Sequence, residues 1–514
     1  MDASSASQIA DLCATARHAA DAGNLDLAIQ CYEKAIALDI ALDSKNVSIL
    51  LEMGNLYAKT GQASLAIQTY NRALQIDPDS GFGWSNLGNV LFGLRNIEIA
   101  LQCFTHAVRL LPDEWTIRYS LGRALGQIGK ANEAVEHLSA ACALNPAFLN
   151  PAFDDAWIVL GNAYQHSGDW DRAMECFDRA LAISPNRAEV HLNRAMVLLN
   201  QGNFSDGWRE YEYRWETPAF RAYKSRGLGK PRWQGEPLDG KRILLHAEQG
   251  FGDAIQFARF IPELSARGAE VFVEAKGPLK ELFSELVTPD HIIELGNPLP
   301  EFDYDCPLMS LPIPLGLELS SIPNAPYLKV PSKMVDDARS LLTAISPGTR
   351  LRVGIVWTGN SSHPWNAMRS VPLAQLAPLG RVKEIQLYSL QREAASAEAE
   401  PWPEGSPLAL PGESLEGFQR MAAVIQALDL VISIDTAQAH LAGALGKPVW
   451  VLLPLFYEWR WHSHLEDSPW YPSARLFRQQ TPGEWTRVIQ KVAEELQRFA
   501  SEHRVSNTRI PDLL

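Results

Sequence analysis

Through the first half of this chain a glycine, an alanine, a bulky apolar residue, a second alanine and a proline recur in the same order at roughly 34-residue spacing. Starting at Val47 the series is Gly54, Ala66, Tyr70, Ala73 and Pro78; starting at Gly81 it is Gly88, Ala100, Phe104, Ala107 and Pro112. Gly122, Ala134, Leu138, Ala141 and Pro146 follow, and then, after a short insertion from Asn150 to Phe153, Gly161, Ala173, Phe177, Ala180 and Pro185. An earlier degenerate copy keeps Ala28, Tyr32 and Ala35, and a later one dissolves into QGNFSDGWREYEYRWE. Small residues let two antiparallel helices touch, the bulky residue fills the groove to the next pair, and proline stops the second helix. Such a unit cannot bury its apolar face alone, so the copies must stack.

The spacing resembles tetratricopeptide repeats over residues 9–221, about five to six units, which implies a helical superhelix with a concave face. Its expected use is as a platform for a protein or peptide; a scaffold or oligomerisation element is the alternative, and the repeat residues, being core residues, leave both open. The aromatics Trp208, Tyr211, Tyr213, Trp215 and Trp233 at the end of the array read as packing against the next domain.

With 514 residues, the chain exceeds the size of a single core, so a second domain is expected. Its 46 Lys and Arg against 60 Asp and Glu leave a formal charge of -14, which opposes binding along a phosphate backbone and argues against nucleic acid as a partner. Cys13, Cys31, Cys103, Cys142, Cys176 and Cys306 show no CxxC spacing, and five fall in repeat helices where cysteine acts as a small apolar residue. Neither a leader-like N-terminus nor an apolar run of about 18 residues is present. A cytoplasmic protein with no transmembrane segment is the expectation.

From Lys241 the periodicity changes. RILLHAEQ and AEVFVEA are short strand-like runs flanking the helical stretch FGDAIQFARFIPELSARG, and after a proline-rich passage RVGIVWTGN, EIQLYSL, LDLVISID and PVWVLLP alternate with helices. Alternation of this kind predicts parallel sheets in two Rossmann-like lobes: residues 241–335 and 350–500, with 222–240 a linker and 501–514 a tail. Ligands of open α/β sheets bind beyond the carboxyl ends of strands, so the loops there are the candidates. After the first strand, EQGFGDAIQF places Gly250 and Gly252 at a tight turn, and Asp253 at the start of a helix where it can act as a cap or as a functional carboxylate. In SIDTAQAH, Asp435 and Thr436 end a strand and precede helix amides, with His440 one turn in; this suits a phosphate, with an N-cap role for Asp435 as the alternative.

These loops, with LPGESLEGFQRMAAVIQALDLVISIDTAQAHLAGALGKPVWVL and SPWYP, resemble the heptosyltransferase-like glycosyltransferases of family nine, and especially bacterial proteins that fuse that domain to tetratricopeptide repeats. The resemblance spans about residues 240–500. It implies a GT-B fold, with the N-terminal lobe on the acceptor side, and inverting, metal-independent transfer from a nucleotide-diphosphate sugar bound mainly by the C-terminal lobe, with no further cofactor. Carried onto this chain, it makes Asp253 the general base, beside Gly252, and makes Asp435, Thr436, Ala437 and His440 contacts to the donor diphosphate and ribose. Thr358 and Gly359 match a second phosphate loop. A carboxylate that takes the acceptor's proton and fixed donors that stabilise the leaving diphosphate make chemical sense of the set.

Two positions depart from the family. Its lysine after the phosphate loop is absent from NSSHPWNAMRS, where Arg369 is the stand-in and a structural arginine the alternative; its contact before SLEG is not clearly matched at Glu413. Asp303 and Asp305 form a DxD better read as part of a strand, His462 and His464 lack a third metal ligand, and Arg460, Trp461 and Trp470 are expected to line or cover the cleft. No GxxxxGK[ST] or GxSxG occurs. The acceptor is expected to be a protein on the repeats or a glycan or lipid-linked molecule. The competing expectation is a repeat scaffold whose catalytic domain has lost turnover.

Overall fold

A computed structural model describes residues 3–41, 46–144, 154–224, 226–348, 351–363, 366–391, 412–456, 458–462 and 465–508. Two compact units divide at Pro185 and Asn186.

The first unit is built of antiparallel helix pairs: Ala3–Asp21 with Leu25–Ala41, Val47–Lys59 with Ala63–Ile76, Gly81–Gly93 with Ile97–Leu110, Trp115–Gln127 with Ala131–Leu144, and Asp154–His166 with Trp170–Ile183. Ala66, Ala73, Ala100, Ala107, Ala134, Ala141, Ala173 and Ala180 are wholly buried. The repeat glycines have a steric cause: a Cβ on Gly54, Gly88, Gly122 or Gly161 would sit 2.5–2.7 Å from the side chain of Tyr70, Phe104, Leu138 or Phe177 respectively. The bulky residue of each second helix thus lies flat on the glycine of the first. The insertion at Asn150 to Phe153 and the repeat proline Pro146 lie outside the described residues.

The second unit opens with a sixth helix pair, Ala188–Asn200 and Phe204–Tyr211. By sequence this pair continues the array; by packing it belongs to the α/β domain. Trp208 meets Trp459 and Phe257 edge-on, at 5.0 and 5.7 Å between ring centroids. Trp208, Tyr211, Trp215 and Trp233 are buried, and Tyr213 stacks on His191. These aromatics pack, as their sequence suggests.

Two parallel sheets follow. β1 (Arg242–His246), β2 (Glu270–Ala275), β3 (Ile292–Glu294) and β4 (Tyr304–Pro307) form one with order β3-β2-β1-β4. The other contains β5 (Leu351–Val356), β6 (Ile385–Ser389), β7 (Leu430–Ile434), β8 (Val449–Leu453) and β9 (Ala474–Arg478), in the order β6-β5-β7-β8-β9. Every pairing in both is parallel. The interior strands β7 and β8 are buried throughout, as sheets covered on both faces require. One apolar cluster runs from Ala195 and Leu199 through Ile243, Leu245 and Phe257 to Val431, Val451 and Trp459, so the sixth helix pair and both lobes share a core. This is the two-lobed GT-B arrangement, preceded in the sequence by the tetratricopeptide helix pairs.

Three segments differ from the boundaries expected for them. Within 222–240, Trp233 and Leu238 are buried and the Trp233 amide donates to the Asp305 carbonyl at 2.9 Å, so this stretch extends the exposed edge of β4 rather than hanging free. The helix Ser332–Ile345 begins inside the residues assigned to the first lobe but packs on the second, where the Tyr388 hydroxyl donates to the Leu342 carbonyl. The last helix, Thr486–Thr508, continues past 501; Val488, Ile489, Val492 and Leu496 cover the outer face of the second sheet. No described helix is long and apolar enough to cross a membrane.

Candidate active site

Each sheet reverses its strand order once, and a crevice opens where connections leave in opposite directions. In the second sheet the reversal lies between β5 and β7, whose carboxyl ends carry Thr358–Gly359 and Asp435–Thr436; in the first it lies between β1 and β4, beside the loop to Asp253. The sequence candidates therefore sit at the two switch points.

After β7, the helix Ala437–Ala444 begins with Thr436 as its N-cap residue, whose side chain caps no amide and instead bonds the Ser433 hydroxyl at 2.9 Å. The first helical amides lack intrahelical acceptors and carry the positive end of the helix dipole. Asp435 is buried behind them, with His440 Nε2 3.6 Å from its Oδ1. His440 Nδ1 pairs with the Tyr471 hydroxyl at 3.0 Å, and its ring lies roughly parallel to Trp461. After β5, Thr358 Oγ1 pairs with Ser370 Oγ at 3.0 Å and the Gly359 amide donates to Asn366 Oδ1 at 3.0 Å. Arg369 crosses from one loop to the other: its Nη1 donates to the Asp435 carbonyl at 2.9 Å, and a Cβ on Gly359 would stand 2.5 Å from its Nη2. The lack of a Cβ at Gly359 leaves room for that approach.

From the first lobe, the helix Phe251–Phe257 directs its N-terminus at the same place. Asp253 acts as a cap, its Oδ2 accepting from the Gly250 amide at 3.0 Å, and also pairs across the lobes, its Oδ1 accepting from Arg460 Nη2 at 2.7 Å. Arg460 Nη1 in turn lies 3.5 Å from His440 Nε2. A Cβ on Gly252 would stand 2.9 Å from His440 Cδ2 and 3.7 Å from the Ala437 Cα. Gly252 is thus a contact between the lobes.

A cleft adjoins this cluster, lined by His363, Met368, Arg369, Asp435, Pro454, Phe456 and Glu458. Of the sequence candidates only Asp435 and Arg369 line it; Thr358 and Gly359 stand behind Arg369, and Asp253 and His440 meet it through Arg460 and Asp435. Glu458, Phe456 and Pro454 had not been singled out. They follow β8 directly, and the rule that led to the loops after β5 and β7 would have found them too.

The family model for glycosyltransferase family 9 (heptosyltransferase) matches residues 413–496, and tetratricopeptide-repeat models match 19–39, 54–94, 85–147 and 154–187. The chain is a tetratricopeptide-repeat glycosyltransferase. This transferase is 27% identical over 545 residues to Protein FlbA of Caulobacter vibrioides, covering 92% of this chain and 88% of that one. It is 26% identical over 193 residues to BBSome complex member BBS4 of Bos taurus, covering 37% of this chain and 36% of that one. A crystal structure of MamA protein aligns with 35% of the transferase and 94% of its own chain, at 24% identity and TM-score 0.29.

Electrostatics sorts the transferase's carboxyl groups. Burial opposes the charge on Asp435, but the adjacent His440 ring and the positive Arg460 and Arg369 outweigh it and hold the group at about 2. Glu458 goes the other way: burial pushes it up to about 7, with Asp435 and Asp253 adding to the rise and Arg460 and Arg369 opposing it. Burial lowers His440, and burial with Arg369 lowers His363. Arg460 stays charged because the surrounding Asp253, Glu458 and Asp435 outweigh its desolvation.

The weak sequence signals resolve locally. Asp303 Oδ2 accepts from the Arg242 amide at 2.8 Å, and Asp305 pairs with His246 at 3.1 Å, so the DxD serves the sheet. His462 Nδ1 donates to the Asn200 carbonyl at 2.9 Å. His464 and the Glu413 side chain lie outside the described residues. No group of three His, Cys, Asp or Glu among the described residues is placed to hold a metal.

Proposed function

We propose that the cleft transfers a sugar from a nucleotide-diphosphate donor to an acceptor hydroxyl with inversion and without a metal. The observation that carries this reading is Arg369, which joins the loops after β5 and β7 at the cleft wall beside Asp435. A diphosphate needs fixed positive charge where it departs. Arg369, Arg460 and the amides at the start of Ala437–Ala444 supply it from preorganised positions, where donors are worth more than in water. The acceptor oxygen bonds to the anomeric carbon as the bond to the diphosphate breaks and its electron pair leaves with the phosphate. The acceptor's proton passes to a carboxylate, for which Asp253 is the candidate of the sequence.

The acceptor is a protein or peptide presented by the repeats, or a glycan or lipid-linked molecule. A cytoplasmic location is supported by six buried cysteines with no CxxC spacing.

The test is a thermal-shift panel of ADP, GDP, UDP, CDP and dTDP with their sugars, on wild type beside Asp435→Ala and the isosteric Asp435→Asn. Stabilisation by one nucleotide family, lost in both variants while their unliganded melting stays cooperative, supports the reading and names the donor class; ligand at a hundred times Kd adds about 2.7 kcal/mol. No shift with any member would leave the repeat scaffold as the better account.

A further inference from the structure

Away from the cleft, one buried guanidinium joins three elements. Arg214 belongs to the turn Glu212–Glu216 that closes the sixth helix pair, and it lies against the rings of Tyr211 and Trp215, at 4.8 and 4.4 Å from their centroids. Its Nη2 donates to Ser310 Oγ at 2.6 Å and to Glu248 Oε1 at 3.2 Å. Glu248 follows β1 and Ser310 follows β4, so a single side chain spans the two strands that bound the crevice of the first sheet. Both members of the Arg214–Glu248 pair are 1% exposed, and among the described residues Glu248 Oε2 has no partner. Apolar residues often fill such a place as well as an ion pair or better, so stability alone does not account for these charges.

What the pair holds is the approach to Asp253. Glu248 is followed by Gln249, whose Nε2 donates to the Tyr211 hydroxyl at 2.7 Å and whose carbonyl accepts from Lys276 Nζ at 2.8 Å. Beyond them Gly250 and Gly252 have no side chain with which to anchor the chain, and Phe251 packs on Phe418 with ring centroids 4.9 Å apart. Within the turn itself Asp253 is tied only to the Gly250 amide. Its place is therefore set from the two flanks, by Arg214 and Tyr211 before the turn and by Arg460 across the lobes. Arg214 and Tyr211 are buried and neither lines the cleft, so they act through the loop and not on a substrate.

We infer that the sixth helix pair is a working part of the transferase: Arg214 and Tyr211 are positioning residues that hold the loop after β1, and with it the candidate base Asp253, at the crevice. The inference rests on the transferase reading above. With water as the simplest acceptor, the water oxygen bonds to the anomeric carbon and one of its protons passes to the Asp253 carboxylate. The bond from that carbon to the diphosphate breaks, and its electron pair leaves with the phosphate. A carboxylate displaced by about 1 Å costs such a step about a hundredfold in rate, while the groups assigned to the donor, Asp435 and Arg369, stay where they are. The contribution of Arg214 and Tyr211 therefore falls in kcat and not in donor affinity. It also gives a task to QGNFSDGWREYEYRWE, the segment in which the repeat pattern dissolves and in which both residues lie.

The experiment compares full-chain wild type with Tyr211→Phe and with the double variant Arg214→Met/Glu248→Met, in which no charge is left stranded. The probe is the sugar nucleotide selected by the thermal-shift panel, and release of its nucleoside diphosphate in water is followed. The double variant should melt as wild type does and lose about tenfold to a hundredfold of kcat with the KM for the sugar nucleotide unchanged. Tyr211→Phe, which gives up one hydroxyl, should lose about two- to tenfold of kcat. Hydrogen exchange supplies a readout that needs no turnover: peptides spanning residues 247–257 should exchange faster in both variants, and those of the helix Thr486–Thr508 should not. A double variant that both melts and turns over as wild type does would reduce the pair to packing and overturn the inference, as would unchanged exchange of 247–257 in both variants. If the double variant melts low, a Tyr211→Phe enzyme with wild-type kcat overturns it instead. Wild type that binds none of the five diphosphates would sink the transferase reading beneath it.

Discussion

Arg460 Nη2 stands 2.7 Å from Asp253 Oδ1, an ion pair between residues 207 positions apart that ties the turn after β8 to the helix after β1 and so one lobe to the other. Both side chains are largely withdrawn from water, at 9% and 19% exposure. Removing one member of such a pair strands the other, a loss of about 3–5 kcal/mol. Arg460→Met should therefore destabilise the second unit by that order in urea unfolding, and Asp253→Asn added to it should recover part of the loss. Strictly additive single and double variants would show that the two charges do not interact.

Gly252→Ala probes the contact between the lobes without touching a charge. The new methyl would meet the edge of the buried His440 ring at 2.9 Å, so the ring or one of the two helices must shift. Overpacking of this kind costs about 1–3 kcal/mol. The expected result is a lower melting temperature together with weaker nucleoside-diphosphate binding, seen by calorimetry, since His440 supports Asp435. Unchanged binding would mean that this contact does not set the geometry of the donor site.

Asp435 and Glu458 should leave opposite marks on stability against pH. Asp435 is depressed in the folded protein, so its contribution is complete above the ordinary carboxylate range and is lost as pH falls toward about 2. The advantage of wild type over Asp435→Asn should shrink by about 2 kcal/mol between pH 5 and 2. Urea midpoints at a series of pH values measure it.

Glu458 is raised, so its protonated form stabilises the fold below the ordinary carboxylate range, and that contribution is lost as pH rises through about 7. Glu458→Gln should match wild type near pH 4 and exceed it by about 1–3 kcal/mol at pH 8, the gap opening between those values and then levelling. A gap that stays constant with pH would show that Glu458 titrates normally in the folded protein.

In the repeats, Gly161→Ala would force a methyl to 2.5 Å from Phe177 Cε1 inside the fifth helix pair. A clear drop in the melting of the first unit, followed by far-ultraviolet circular dichroism, is expected, at about 1–3 kcal/mol. The same substitution at Gly93, where a Cβ would meet nothing within 4 Å, should be close to neutral.

Much of this architecture is carried by local pattern. The glycine and the bulky residue of each repeat lie on the two helices of one pair, so Gly54 with Tyr70 or Gly161 with Phe177 can be recognised by spacing alone. The strand runs before Gly250, Thr358 and Asp435 are equally plain, because a buried parallel strand must be continuously apolar and the residue that ends it must tolerate a turn. That Asp253 begins a helix is likewise local, and its carboxylate does cap the Gly250 amide. The boundary of the array was not local. The sixth helix pair carries repeat-like sequence, yet Trp208 and Phe204 turn it toward Trp459, Phe257 and Trp470.

The charges of the site belong to the tertiary level for the same reason. An aspartate or arginine shows its type in the sequence but not its counter-ion, its depth or its solvent. Only folding brings Arg460 to Asp253, lays Arg369 across Gly359 onto the Asp435 carbonyl, and sets Glu458 in an apolar wall without a hydrogen-bond partner among the described residues. Periodicity and turn chemistry act over a few residues and can be read along the chain. Protonation and charge pairing depend on desolvation and on distances between residues far apart in sequence, and these exist once the two lobes close on a common core.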